Sequence, residues 1–274
     1  MKQCNSFRTI ALLFAIVLFF NNCTKDTTSD LRYGIDPANQ KSLLCKSLRL
    51  NGNNIDGVMH SNIGTGSPLV VAHPLAVEVS AGVLLFIPYQ ISNVNDVCQI
   101  YLQVEGADNY WEAALTIDPA SNQPYFQILI PKFVLEGEFD FVFSLGDCNG
   151  NVSSTYSTQT TVSPVADCDL SISGSVGITV RSFDLGDKQG VVRMNYEMYS
   201  IKDRLDIRYN GNWVGSTGTL LSNQTILPSC GLDGFVSNTG YLEFKYDPKV
   251  NRFVEVYITG CEDGTAWDVW PVCP

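Results

Sequence analysis

Histidine is scarce in this sequence, and its scarcity restricts the chemistry that the chain can carry out. Only His60 and His73 occur in 274 residues, and neither stands in a recognisable nucleophile motif. A Ser-His-Asp or Cys-His enzyme would have to use one of these two side chains. The motifs G-x-S-x-G and H-E-x-x-H, the Walker loop and a complete EF-hand loop are also absent. The sequence therefore predicts a protein that is not an enzyme, with both histidines at the surface or at strand edges.

Basic residues are also few. The chain has 17 Lys and Arg against 28 Asp and Glu, a formal net charge of −11. Proteins that bind nucleic acids or anionic lipid surfaces do so through clustered Lys and Arg. The sequence therefore predicts no nucleic-acid partner. Its acidity is compatible with solubility, with calcium or with basic host proteins.

The apolar run at residues 10–20 is too short to cross a membrane. It has eleven residues, whereas a spanning helix needs about 20. Lys2 and Arg8 precede it, and Cys23 follows it closely. A basic start followed by a short apolar segment is typical of a signal for export.

The string Phe20-Asn21-Asn22-Cys23 resembles the lipobox of bacterial lipoproteins. It departs from the common pattern, which has Leu and a small residue where Phe20 and Asn22 stand, and it is similar to the looser versions of spirochaete and Bacteroidetes lipoproteins. The resemblance implies cleavage before Cys23, acylation of that cysteine and a lipid anchor in the bacterial outer membrane. An ordinary secretory signal cut near Asn22 and an uncleaved anchor are the alternatives, and all three export the chain.

The predicted fold class is all-β, with two β-sandwich modules in tandem after the signal peptide and a short flexible tether. Removal of residues 1–22 leaves 252 residues with 15 basic and 28 acidic side chains, a net charge of −13. This length exceeds one typical domain. We assign residues 23–45 to the lipidated cysteine and a polar tether, 46–163 to the first module and 164–274 to the second. The short alternating runs and the Gly, Asn, Pro and Ser between them favour strands over helices.

In the first module, residues 97–104 and 137–145 have the alternation of strands. The second of these opens into Gly146-Asp147-Cys148-Asn149-Gly150-Asn151. This stretch resembles the F strand and F–G turn of bacterial immunoglobulin-like and fibronectin-III-like domains, and the resemblance covers roughly residues 65–163. Phe139 stands where many of those domains carry the tyrosine of the tyrosine corner.

In the second module, Asn210-Gly211 predicts a tight hairpin between residues 203–209 and 212–214, because both positions accept a positive φ. A second hairpin is predicted to join residues 241–246 to 253–258. The module resembles β-sandwiches of extracellular bacterial proteins, to which we attach no family name.

Nine cysteines are present, and seven remain once Cys4 leaves with the signal and Cys23 is acylated. Wide spacing in an exported chain favours disulfides over zinc. The predicted pairs are Cys98–Cys148, Cys168–Cys273 and Cys230–Cys261, and Cys45 is left unpaired or joined to another chain. The first pair would resemble the B–F bridge of immunoglobulin domains.

Two sets of residues are candidates for a binding site. Calcium is the candidate cofactor, because carboxylates lie in or beside turns, and the proposed ligands are Asp203, Asp206, Asp263 and Asp268. The alternatives are backbone hydrogen bonding in the turns and acid–base catalysis. A stacking platform for a sugar would use Tyr209, Trp213 and Trp267, and the alternative for these rings is core packing.

These observations predict an exported lipoprotein, periplasmic or surface-exposed, that acts as a non-catalytic binding or adhesion module. Its partners are the membrane, through the lipid anchor, and an extracellular protein or glycan. A structural spacer of the envelope and a glycan-active hydrolase are the alternative functions.

Overall fold

The computed structural model describes residues 37–59, 68–118, 123–220, 230 and 232–274. The export signal, Cys23 and His60 lie outside the described residues. No helix among the described residues is long and apolar enough to cross a membrane. The chain divides into residues 1–40 and a compact unit of residues 41–274.

Strands dominate the described residues and confirm the predicted all-β class. One helix, α1 (Pro37–Ser47), begins within the segment predicted as a tether. The strands are β1 (Gly52–Asp56), β2 (Val70–Ala72), β3 (Ala76–Ser80), β4 (Leu84–Pro88), β5 (Gln90–Ile91), β6 (Val97–Val104), β7 (Asn109–Ala113), β8 (Tyr125–Leu129), β9 (Gly137–Asp147), β10 (Tyr156–Ser163), β11 (Ala166–Asp167), β12 (Ile172–Gly174), β13 (Gly177–Asp184), β14 (Gly190–Glu197), β15 (Asp203–Tyr209), β16 (Asn212–Ser216), β17 (Thr239–Tyr246), β18 (Phe253–Gly260) and β19 (Trp267–Val272).

The first sandwich is built around one half of a long sheet, in the order β1-β7-β6-β9-β10-β3. The two-stranded antiparallel sheet of β4 and β8 packs against it. Strand β9 shows why these residues form strands: Phe141, Phe143 and Leu145 are buried at every second position, as the alternation of a strand requires. Helix α1 places Cys45 in the same core.

The second sandwich packs the four-stranded sheet β12-β19-β14-β17 against the half-sheet β13-β18-β15-β16. Alternation in β14 buries Val192 and Met194 and leaves Val191 and Arg193 exposed. The turn at Asn210 and Gly211 has φ values of 48° and 79°, which confirms the predicted hairpin between β15 and β16.

The second predicted hairpin is wrong. Strand β17 pairs with β14, whereas β18 pairs with β13 and β15 in the other sheet. The connection between β17 and β18 is therefore a corner that carries the chain from one sheet to the other. The Tyr209 hydroxyl holds this corner by donating to the carbonyl oxygen of Asn251 at 3.0 Å.

Strand β3 joins the two sandwiches into one sheet. It pairs in parallel with β10 on one side and with β13 on the other, so that Val77 lies opposite Thr160 and Ile178. The predicted boundary between residues 163 and 164 falls between β10 and β11, and as a domain boundary it stays a prediction.

Three cysteine pairs lie at disulfide distance, and they are the pairs expected from the sequence. The Cα atoms are 5.2 Å apart in Cys98–Cys148, 6.1 Å in Cys168–Cys273 and 5.6 Å in Cys230–Cys261. The first pair differs from the B–F bridge of immunoglobulin domains, because it links β6 to the end of the adjacent strand β9 in one sheet.

Cys45 is the free cysteine of the described residues, and it is buried. Its Sγ donates to the carbonyl oxygen of Asn109 at 3.3 Å. Burial raises the pKa of the Cys45 thiol. A buried, protonated thiol is a poor nucleophile, so this cysteine is a core residue.

Candidate binding site

The three aromatic side chains predicted to form a sugar platform are buried. Trp213 packs edge-on against Tyr257, with ring centroids 4.9 Å apart. Trp267 is 1% exposed, and its Nε1 donates to the carbonyl oxygen of Ser175. Tyr209 closes the corner between β17 and β18. All three contribute to the core, which is the alternative that the sequence also allowed.

The four candidate calcium ligands occupy separate environments. Asp206 pairs with Arg204, Asp268 accepts hydrogen bonds from the hydroxyl groups of Ser173 and Tyr199, and Asp263 lies in an exposed turn. Asp203 accepts a hydrogen bond from the Thr265 hydroxyl at 2.6 Å. Among the described residues, no group of three or more His, Cys, Asp or Glu side chains could hold a metal ion. Calcium binding stays a prediction.

Asp203 makes the stability of the protein depend on pH. Burial raises the pKa of its carboxyl group to about 6, above about 3.9 in an unfolded chain. The folded state therefore holds a proton that the unfolded state has lost, and stability falls as pH rises through this window. We expect Asp203→Asn, which stays neutral, to gain up to about 3 kcal/mol relative to the unmodified protein between pH 4 and pH 7.

Urea unfolding of both proteins at several pH values measures this difference. The two proteins differ in one titratable group, the Asp203 carboxyl. The contributions of all other titratable groups to the pH dependence of stability therefore cancel in the comparison. Parallel curves of unfolding free energy against pH would contradict the prediction.

The exposed surface of the four-stranded sheet was not predicted from the sequence. Strands β19, β14 and β17 pair in register, so that Trp270, Asn195 and Tyr241 form one row across the sheet. Trp270 is partly exposed and Tyr241 is 54% exposed. We call this surface the outer face, and it comprises Ser173, Arg193, Asn195, Glu197, Tyr199, Tyr241, Glu243, Asp268, Trp270 and Val272.

One end of the outer face carries an ionised carboxylate. Asp268 accepts hydrogen bonds from the hydroxyl groups of Ser173 and Tyr199, and these hold the pKa of its carboxyl group below the usual value. The same bond raises the pKa of Tyr199. Tyr199 has a φ of 46°, an uncommon conformation for a bulky residue, and its amide donates to Glu197 at 2.8 Å. This turn fixes the tyrosine beside the carboxylate.

The other end of the outer face carries a stacked guanidinium. The Cζ atom of Arg193 lies 4.3 Å from the centroid of the Tyr241 ring. The Nε and Nη2 atoms of Arg193 donate to Oε1 of Glu243 at 3.0 and 2.8 Å. The ion pair therefore holds the guanidinium over the ring.

The outer face combines exposed rings with charged side chains, but its carboxylates Asp268 and Glu243 are poorly suited to acid–base catalysis. Trp270 and Tyr241 are separated by one strand, about 9–10 Å from the spacing of strands. The lowered pKa of Asp268 makes it a poor proton donor, and Glu243 is already paired with a cation.

A second surface feature lies at the Asn210-Gly211 hairpin. A cleft of about 450 Å³ is lined there by Lys132, Arg208, Asn251 and Phe253. The Nζ of Lys132 lies 5.7 Å from the centroid of the Phe253 ring, and Arg208 pairs with Glu255. The described lining of this cleft has one aromatic ring, Phe253, whereas the outer face exposes both Trp270 and Tyr241, so we place the contact surface on the outer face.

No protein-family model and no curated protein sequence matches the chain. Among solved structures, fibronectin(III)-like modules of Clostridium thermocellum CbhA align with 35% of this chain and 97% of their own length at 15% identity and a TM-score of 0.26. A second structure is that of SGBP-B from the Bacteroides ovatus mixed-linkage glucan utilization locus, in complex with a mixed-linkage heptasaccharide. It aligns with 70% of this chain and 71% of its own length, at 11% identity and a TM-score of 0.20. A SusE-like protein aligns with 78% of this chain and 100% of its own length, at 12% identity and a TM-score of 0.24. At these identities and TM-scores, none of the three carries an argument about the function of this chain.

Proposed function

We propose that this protein is a non-catalytic binding protein of the bacterial envelope, and that its outer face contacts an extracellular glycan. The observation that carries the proposal is the row of Trp270, Asn195 and Tyr241 across an open sheet surface. A protein partner, a spacer role and glycan hydrolysis are the other outcomes that an experiment would distinguish.

The chemistry of the outer face fits a sugar chain. An aromatic ring buries apolar surface against the C–H face of a pyranose. Hydroxyl groups around that face require donors and acceptors, which Arg193, Asn195 and Asp268 supply at the border. Hydrogen bonds to charged groups are stronger than neutral ones, so the ionised Asp268 and Arg193 add specificity.

The charge of the chain favours a neutral glycan. Without residues 1–22, the chain carries 15 basic and 28 acidic residues, a net charge of −13. A polyanionic polysaccharide would be repelled over most of the surface. A neutral polysaccharide has no such penalty.

Trp270→Ala tests this function. We expect the substitution to weaken retention in polyacrylamide gels that contain a neutral polysaccharide by at least about fivefold in affinity, because the stacking of one ring on an aromatic side chain contributes about 1–3 kcal/mol. The unfolding midpoint should change little, because the ring is partly exposed. Starch, mixed-linkage glucan, xylan and mannan form the test panel.

Phe133→Ala is the matched control, since Phe133 is an aromatic residue that is 39% exposed and lies outside the outer face. Equal retention of Trp270→Ala and the unmodified protein would refute the site. Failure of the unmodified protein to bind any of the four polysaccharides would favour a protein partner or a spacer role, and release of reducing ends would indicate hydrolysis.

We also propose that the chain is exported and lipid-anchored through Cys23. The basic start and the apolar run at residues 10–20, followed by this cysteine, support the proposal. Several acyl chains hold a protein at a membrane more firmly than one. We expect Cys23→Ala to abolish incorporation of labelled palmitate in cells, whereas Cys45→Ala, which alters a buried thiol, should retain it. Label remaining on Cys23→Ala would contradict the anchor.

A further inference from the structure

One edge of strand β8 is paired only at its two ends. The other edge of the strand pairs with β4 along its whole length. On the partly paired edge, the Leu129 amide donates to the carbonyl oxygen of Arg49 at 3.1 Å, and the Tyr125 amide donates to that of Thr116 at 3.0 Å. Between these two bonds, no strand of the described residues pairs with this edge.

Gln127 lies midway between the two bonded positions. The backbone N–H and C=O groups of every second residue in a strand point to the same side, so those of Gln127 point to the same edge as those of Tyr125 and Leu129. Among the described residues, neither backbone group of Gln127 has a hydrogen-bond partner on this edge. The structure therefore leaves one backbone donor and one backbone acceptor open side by side.

A cavity of about 520 Å³ lies at this gap in the edge. Its lining includes Gln127 together with Arg49 and Thr116, the two residues at which the pairing ends. The volume is within the range of small-ligand sites, about 300–1,000 Å³. The cavity belongs to the first sandwich, whereas the outer face belongs to the second, so the proposed function does not use it.

Arg49 supplies the charge of the described lining, which contains no acidic residue. Among the described residues, its guanidinium bonds only to the carbonyl oxygens of Ser47 and Leu48, at 3.2 and 3.4 Å, and both bonds use Nη1. The N–H groups on Nε and Nη2 have no partner there. An anion can therefore bind Arg49 without breaking an existing ion pair.

The rest of the lining is apolar where it is buried and polar where it is exposed. Ile100, Ala113 and Phe126 are buried, whereas Asn51 and Gln127 are exposed. A ligand that fits this distribution has one apolar group for the buried wall and polar groups for the exposed side.

We propose that the cavity binds the C-terminal residue of a peptide, or an N-acyl amino acid, which carries the same groups. One extended residue opposite Gln127 can exchange two hydrogen bonds with it, as paired residues of antiparallel strands do. Its N–H donates to the carbonyl oxygen of Gln127, and one carboxylate oxygen accepts from the Gln127 amide. The other carboxylate oxygen accepts from the Arg49 guanidinium.

The length of the gap explains why the ligand is a chain end. Pairing resumes two residues away from Gln127 in each direction, at Tyr125 and Leu129. A longer strand added to this edge would meet Thr116 or Arg49, whereas a terminal residue ends before it reaches them. The apolar side chain of that residue then packs against the buried wall of the cavity.

The test titrates N-acetyl-leucine into the purified, isotope-labelled protein and follows the backbone amide resonance of Gln127 by NMR. We expect a saturable shift of this resonance. Three analogues each remove one group of the ligand. N-acetyl-N-methyl-leucine lacks the N–H and should bind at least about threefold more weakly, N-acetyl-leucine amide lacks the charge and should bind about three- to tenfold more weakly, and N-acetyl-glycine lacks the side chain and should bind at least about fivefold more weakly.

Arg49→Gln removes the cation from the protein instead. It should weaken N-acetyl-leucine binding about three- to tenfold and leave the affinity for N-acetyl-leucine amide unchanged. Lys46→Gln is the matched control, because Lys46 is also a cation of α1 but pairs with Asp56 and does not line the cavity. It should bind N-acetyl-leucine normally. The absence of a saturable Gln127 shift, equal affinities for the four compounds, or equal losses in the two variants would overturn the proposal.

Discussion

Replacing Arg204 by methionine is expected to lower the free energy of unfolding by about 3–5 kcal/mol. The side chain of Arg204 is fully buried, and that of its partner Asp206 is 1% exposed. Two parallel bonds join them, from Nε to Oδ2 at 2.8 Å and from Nη2 to Oδ1 at 2.9 Å. Methionine fills much of the same volume but leaves the carboxylate of Asp206 buried without a cation, and that loss outweighs the gain in apolar packing.

The remaining hydrogen bonds of Arg204 explain why its removal affects more than one pair. The second N–H of its Nη2 faces both the Ser216 hydroxyl and the carbonyl oxygen of Thr219, each 2.9 Å from Nη2, and its Nη1 donates to Asp233. The guanidinium therefore ties β15 to the end of β16 and to the chain around residue 233. Each of these acceptors loses its donor in the variant.

Arg193→Met is the matched control, because Arg193 also pairs with a carboxylate but is exposed. The side chains of Arg193 and Glu243 are 49% and 43% exposed, so this pair contributes less than about 1 kcal/mol. Urea unfolding measures both variants. In Arg204→Met with Asp206→Leu, most of the lost stability should return, because no unpaired charge remains. A loss of the same size in both single variants would refute the argument.

The all-β class and the hairpin at Asn210 could be predicted from the sequence because both depend on local signals. Alternation over five to eight residues identifies a strand, and a positive φ at two adjacent positions identifies a tight turn. The pairing of β17 with β14 had no such signal. Strands β17 and β18 alternate correctly, but the sequence does not say whether the six residues between them turn back within one sheet or cross to the other.

The outer face was missed for a similar reason. Trp267 and Trp270 are three residues apart, so they point to opposite sides of β19. The sequence shows that only one of them can be in the core, but not which one. Trp267, Val269 and Pro271 are buried in the folded protein, and this leaves Trp270 on the outside.

The joining of the two sandwiches into one sheet could not be predicted at all. It depends on β3, a strand of five residues that pairs with strands about 80 and 100 positions later in the chain. No local pattern in the sequence marks a pairing between residues so far apart.

Removing the Cys168–Cys273 disulfide is expected to cost about 3–5 kcal/mol of unfolding free energy. The two cysteines are 105 positions apart, and they tie the beginning of the second sandwich to its end. A cross-link that closes a loop of about 100 residues restricts the unfolded chain by about 4.7 kcal/mol in the chain-entropy model. Urea unfolding of the variant with alanine at both positions, compared with the unmodified protein, measures the lost free energy of unfolding. Alanine places no new polar group beside the core.

A comparison of how much each of the three disulfides contributes to the free energy of unfolding tests the cause of this stabilisation. Cys230 and Cys261 are only 31 positions apart, so the same model makes their bridge about 1 kcal/mol weaker. The cysteines of Cys98–Cys148 are 50 positions apart, so the contribution of this bridge to the free energy of unfolding should lie between those of the other two. Chain entropy therefore predicts that the alanine pair at 168 and 273 is the least stable of the three double variants. If removal of Cys230–Cys261 costs most, then local packing around the bridges, rather than restriction of the unfolded chain, determines their contributions.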